Sequence, residues 1–158
     1  ASGGRSGRER RGKEWRESKL QAMRECEAEI KARIEYVRLS VQYRYDMDLV
    51  DDYVALMTEL MCSDRDYIYI SQDYRPVEKV WERLMKIDYE HMTYIIDSLL
   101  ENKTRVTNIR AYMLSVLYNA PVTIRSYYTA KVNYDMAHDF QYDTESVSWA
   151  ANKMAQYA

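Results

Sequence analysis

Apolar residues recur every three to four positions along most of the chain, and this spacing gives way to strict alternation in one short stretch. From Glu14 to Tyr43, Leu20, Met23, Cys26, Ile30, Ile34, Val37 and Val41 keep a helical period. Glu25, Glu27, Glu29, Lys31, Arg33 and Glu35 crowd the opposite, solvated side. The pattern predicts one long first helix, long enough for its N-terminal end to project beyond the domain. Val50, Tyr53, Val54, Met57, Leu60 and Met61 form the stripe of a second helix, ended by Cys62-Ser63-Asp64. Asp46 or Asp48 can cap it, because a carboxylate accepts from the free N–H groups at a helix start.

At Tyr67-Ile68-Tyr69-Ile70 the period becomes two, with β-branched and aromatic residues. Ser71-Gln72-Asp73 can turn the chain and Tyr74-Arg75 can return it. This predicts a small β-hairpin over 67–75 with no glycine in its turn, closed by Pro76, which opens a third helix. That helix runs to about Lys86 and buries Val77, Val80, Trp81 and Leu84. Asp88 caps a fourth, with Met92, Ile95, Ile96, Leu99 and Leu100 inward and Asn102 at its end. A fifth runs from Thr107 to Asn119 with Ile109, Tyr112, Met113, Val116, Leu117 and Ala120 on one face. Asn119-Ala120-Pro121 predicts a break, and a sixth helix follows from Thr123 to Met136.

The expectation is a mainly α fold: a compact helical domain of about six helices with one hairpin. Composition agrees. All four glycines precede Lys13, and Pro76 and Pro121 are the only prolines, so long uninterrupted elements are favoured. Three segments are expected: a flexible basic linker or cloning remnant at 1–13, the helical domain at 14–137, and a tail or loosely docked helix at 138–158. The chain opens on Ala1 without Met and reads as a piece of something longer.

Net charge is −2, which gives no bulk pull toward nucleic acid, but the charge is uneven. Arg5, Arg8, Arg10, Arg11, Lys13 and Arg16 face only Glu9 and Glu14, so residues 1–16 carry +4 and the rest −6. Cys26 and Cys62 form neither a C-x-x-C nor a disulfide framework, which suits a reducing, cytoplasmic compartment. No apolar run reaches the roughly 18 residues of a membrane span.

Candidate chemistry is sparse. Asp88 and His91 make a D-x-x-H, too few ligands for a metal site, and capping accounts for them. His138 has no evident partner. Asp46/Asp48, Asp51/Asp52 and Asp64/Asp66 lie at expected helix ends, where the helix dipole explains them. No nucleophile elbow, zincin motif or P-loop is present, and with no glycine after Gly12 a glycine-rich phosphate loop is excluded. The reading is non-enzymatic, with no cofactor and no metal. The sixth predicted helix is different: Arg125, Tyr127, Tyr128, Lys131 and Tyr134 mix cations with aromatics, a combination that serves protein interfaces and single-stranded nucleic acid alike. With Arg110 these are the candidate partner-binding residues. Leu20, Met23, Cys26 and Ile30 offer a further, weak self-association stripe.

From Ile30 to Met136 the chain also resembles the C-terminal domain of the plasmid replication initiator A proteins of Gram-positive plasmids and mobile elements. The segments that carry the resemblance are Ile30-Lys31-Ala32-Arg33-Ile34-Glu35-Tyr36, Glu59-Leu60-Met61-Cys62-Ser63, His91-Met92-Thr93-Tyr94-Ile95-Ile96-Asp97, and Asn108-Ile109-Arg110-Ala111-Tyr112 through Leu117-Tyr118-Asn119-Ala120-Pro121. The resemblance implies a DnaD-like helical domain that follows a winged-helix DNA-binding domain. Tyr112 and Val116 fit the end of the DnaD pattern, and Ala120 stands where that pattern has Trp. The implied function is recruitment of host replication proteins (helicase loader, helicase or primase) to the origin, in the bacterial cytoplasm. Direct binding of single-stranded or origin DNA, and homo-oligomerisation, are the alternatives.

Overall fold

The computed structural model describes residues 3–102 and 106–155, with side chains described within 6–137. Among these residues the elements are α1 (Gly3–Arg33), α2 (Tyr36–Gln42), α3 (Met47–Met61), β1 (Tyr67–Ile70), β2 (Asp73–Pro76), α4 (Val77–Leu84), α5 (Tyr89–Glu101) and α6 (Ile109–Ala155). The fold is mainly α with one antiparallel hairpin, as expected. The chain divides into two compact units, Ala1–Pro121 and Val122–Ala158, with α6 contributing to both.

The buried core belongs to the first unit. Ile30 and Ile34 of α1, Leu39 and Tyr43, the α3 stripe, Val77, Val80 and Leu84 of α4, Met92, Ile95 and Ile96 of α5, and Leu117 and Ala120 of α6 meet there with Ile68 and Ile70 of the hairpin. Apart from Leu39 and Tyr43, these lie on the apolar faces their spacing predicts, and burying such faces is the main force holding helices together. Side chains then satisfy helix ends. Trp81 Nε1 donates to the Leu60 carbonyl at 2.8 Å. Arg33, placed by its spacing on a solvated side, instead donates to the carbonyls of Ile87 (2.9 Å) and Leu84 (3.2 Å). It thereby satisfies the C-terminal end of α4.

Three expectations are corrected. First, the long first helix starts at Gly3 rather than Glu14, so residues 3–13 are helical where a flexible linker is expected, and it ends at Arg33. Glu35 then takes a left-handed conformation (φ 54°, ψ 56°) and α2 begins. That residue resets the helical phase. Leu39 and Tyr43 become the core residues of α2, and Val37 and Val41 turn outward to 77% and 78% exposure. Tyr43 also donates its hydroxyl to Asp97 of α5 at 2.7 Å.

Second, Pro121 does not break the chain: α6 continues through it. Proline removes one ladder hydrogen bond and crowds the preceding turn. Here that turn is anchored by buried Leu117, Tyr118 and Ala120. Its carbonyls also accept side-chain donors, Asn119 Nδ2 at Ser115 (2.8 Å) and Arg83 Nη1 at Tyr118 (3.1 Å). The boundary between the two units falls at this proline all the same. The backbone stays helical to Ala155. The side chains beyond 137, His138 included, lie outside the described residues.

Third, Ile109 and Leu100, assigned to apolar faces, are exposed, and so is Leu20. Of the self-association stripe, Cys26 packs against the core and Ile30 is within it, while Leu20 is exposed.

The hairpin is the one expected. Tyr67 pairs with Pro76, Ile68 with Arg75, Tyr69 with Tyr74 and Ile70 with Asp73. Ser71 (φ 52°) and Gln72 (φ 63°) both take left-handed conformations, the geometry of a tight two-residue turn, without the Gly or Asn that normally supplies it. Ser71 Oγ lies 2.7 Å from Ser115 Oγ of α6. The turn is therefore held from outside.

Candidate functional site

The six candidate residues do not form one cluster. Arg110 belongs to the first unit, in the first turn of α6. Its Nη2 and Nη1 lie 2.8 and 3.3 Å from the two carboxylate oxygens of Glu59 on α3. Its charge is therefore already matched. Arg125, Tyr127, Tyr128, Lys131 and Tyr134 lie on α6 in the second unit.

Successive residues of a helix turn by about 100°, so these five are divided by face. Arg125 and Tyr128 share a face with Val132 and Met136. Tyr127 and Tyr134 point to the other side, with Lys131 between. Tyr128, Val132, Tyr134 and Met136 are all substantially exposed, as is Val122 at the start of the unit. The rings of Tyr127 and Tyr128 meet edge to face at 5.5 Å. Sequence reasoning missed Val132 and Met136, although the 128, 132, 136 spacing was available to find them. The resulting surface is an apolar and cationic helical strip, with no buried ionisable group among its described residues.

A concavity lies within the first unit. It is a cleft of about 470 Å³ lined by residues of α1, the end of α3, β1 and the start of α6, among them Lys19, Glu59, Arg65, Ile68, Tyr69 and Arg110. Lys19 Nζ pairs with Asp64, another lining residue, at 2.8 Å. The cleft is mixed in charge rather than a converging set of catalytic groups.

A family model for DUF6017, a family of unknown function, matches residues 4–139. The chain belongs to this family. The match takes in the first unit from Gly4 onward and the helical strip of the second. No curated protein and no solved structure matches the chain.

Packing and hydrogen bonding shift the titration of ionisable groups in this DUF6017 chain. Asp88 accepts from the His91 N–H at 3.1 Å, and its Oδ1 lies 2.8 Å from His91 Nδ1, a reciprocal cap on α5. Nδ1 can also accept from the Asp88 N–H, 3.4 Å away, when it carries no proton. Partial burial raises the Asp88 pKa, but the His91 backbone and ring outweigh it and hold the carboxyl below its usual range. Cys26 and Cys62, far apart in sequence, are brought side by side. Burial first, and then Cys62, push the Cys26 thiol up to about 11, which makes it a poor nucleophile near neutrality. Among the described residues no group of three or more His, Cys, Asp or Glu side chains is placed to hold a metal ion. Among them, too, no helix is long and apolar enough to cross a membrane.

Proposed function

We propose that the chain is a non-enzymatic docking module that binds a protein partner through the strip Arg125, Tyr128, Lys131, Val132 and Met136 of α6. The observation behind this reading is the exposure of Tyr128, Val132 and Met136 on one helical face. Apolar groups recurring at this spacing outside a core, flanked by cations, are what an amphipathic helix offers to a groove. The resemblance to plasmid replication initiators supplies the biological setting: the domain recruits a host helicase loader, helicase or primase to the origin. The test is a pull-down of those purified proteins by the wild type and by Tyr128→Ala with Lys131→Ala. Loss of recovery in the variant supports the strip. Equal recovery rejects the strip, and no recovery by the wild type rejects the role.

A second reading is favoured by Arg8, Arg10, Arg11, Lys13 and Arg16, which stand exposed on α1. These could follow a nucleic-acid backbone. Binding of single-stranded DNA that falls steeply between about 50 and 200 mM salt would favour it. Absence of binding, or a flat salt dependence, removes it.

A further inference from the structure

The hairpin has two edges, and they differ. Ile70 and Asp73 flank a two-residue turn, which makes them a hydrogen-bonded pair. The Val77 N–H donates to the Asp66 carbonyl at 2.9 Å, on the same alternation. Residues 66, 68 and 70 therefore turn their backbone groups toward β2, and Tyr67 and Tyr69 turn theirs away from it. On the outer edge of β2, Pro76 has no N–H and the Tyr74 N–H is occupied by Asp73 Oδ1 at 2.8 Å. That edge is closed to another strand. The β1 edge has neither device, and among the described residues neither Tyr67 nor Tyr69 makes a backbone hydrogen bond to an element outside the hairpin.

The open edge borders the 470 Å³ cleft, which Ile68 and Tyr69 help to line. Of the three cations there, Lys19 is matched by Asp64 and Arg110 by Glu59. The Arg65 side chain has no ion pair among the described residues, so the cleft keeps one unmatched positive charge. Arg65 also sits two residues before Tyr67, at the entry to β1.

We propose that the β1 edge receives an extended acidic segment of a partner protein as a third strand, paired to Tyr67 and Tyr69, with a carboxylate of that segment on Arg65. Strand addition takes its affinity from main-chain hydrogen bonds and its selectivity from alternate side chains. An incoming strand places every second side chain over the cleft, where Arg65 selects an acid and Lys19 and Arg110, already neutralised, do not compete for it. This surface belongs to the first unit and is independent of the α6 strip.

The experiment uses the full isotopically labelled chain and two end-blocked synthetic peptides, one alternating Val and Glu, the other Val and Lys. The Val/Glu peptide is expected to shift the amide resonances of Tyr67 and Tyr69 and to slow their hydrogen exchange. Arg65→Glu should weaken that peptide about tenfold or more and favour the Val/Lys peptide, as loss and reversal of a charge-assisted contact require. Tyr69→Pro removes one outward donor and leaves the Ile68 and Ile70 pairs in place. Its binding should fall likewise, and if it does not fold, Arg65→Glu decides alone. Equal binding of the two peptides overturns the proposal, as does an absence of change at Tyr67 and Tyr69 at millimolar peptide. Protection of the same amides that grows with protein concentration and without peptide assigns the edge to a second copy and also overturns it.

Discussion

Arg110 grips Glu59 through both terminal guanidinium nitrogens, at 2.8 and 3.3 Å, and so ties the first turn of α6 to α3. The two side chains are 58% and 60% exposed, which places the pair in high dielectric. Arg110→Ala is expected to cost less than about 1 kcal/mol in urea denaturation. A double-mutant cycle with Glu59→Ala should return a coupling energy in the same range. A much larger value would mean that the pair is desolvated.

The cap on α5 gives a pH-dependent stability. The folded chain favours the Asp88 carboxylate, so its contribution is complete above the unfolded pKa of about 3.9 and is lost as pH falls through the lower folded value. Asp88→Ala should cost about 1 kcal/mol near neutrality. Denaturation curves of the variant and the wild type should converge at about pH 2. A gap that persists there would show that the loss is not electrostatic.

In the hairpin turn, Gln72 holds a left-handed backbone that glycine adopts without a Cβ penalty. Gln72→Gly is expected to raise stability by about 0.5–1 kcal/mol, seen as a rise in Tm of a few degrees. Ser71 is the wrong site for the same change, because its hydroxyl meets Ser115. A drop in Tm for Gln72→Gly would mean that the Gln72 side chain holds the turn.

Tyr53 is 0% exposed, and its hydroxyl has no hydrogen-bond partner among the described residues. Burial pushes its phenol well above the usual range. Burying an unpaired hydroxyl carries a desolvation cost of about 1–3 kcal/mol. Tyr53→Phe should therefore be neutral or stabilising, while Tyr53→Ala should lose about 3–5 kcal/mol through the cavity it leaves. Chemical denaturation of both variants checks this, and a destabilised Phe variant would reveal a partner for the hydroxyl.

Much of this architecture is legible in the amino-acid order. The stripe from Val50 to Leu60, the alternation at Tyr67–Ile70 and the Asp88 cap are local signals, and local chemistry decides them. The misreadings share a cause. Glu35 takes a left-handed conformation while Ile34, Val37 and Val41 continue the three-to-four period across it, so two helices read as one. Pro121 carries a strong local stop, but Leu117 and Ala120 are buried and side chains hold the turn before it, so packing overrides the stop. The meeting of Cys26 with Cys62, the Arg110–Glu59 pair and the cleft beside β1 depend on which elements become neighbours. No local pattern encodes that.

Ile34 and Leu39 are five positions apart, one more than the step that keeps residues on a common helical line. The left-handed Glu35 absorbs that surplus. Remove any single residue between them and an unbroken rod would align Leu39 and Tyr43 with Ile34, abolishing the bend that returns Tyr43 to Asp97. This short stretch should then resist any change in its length.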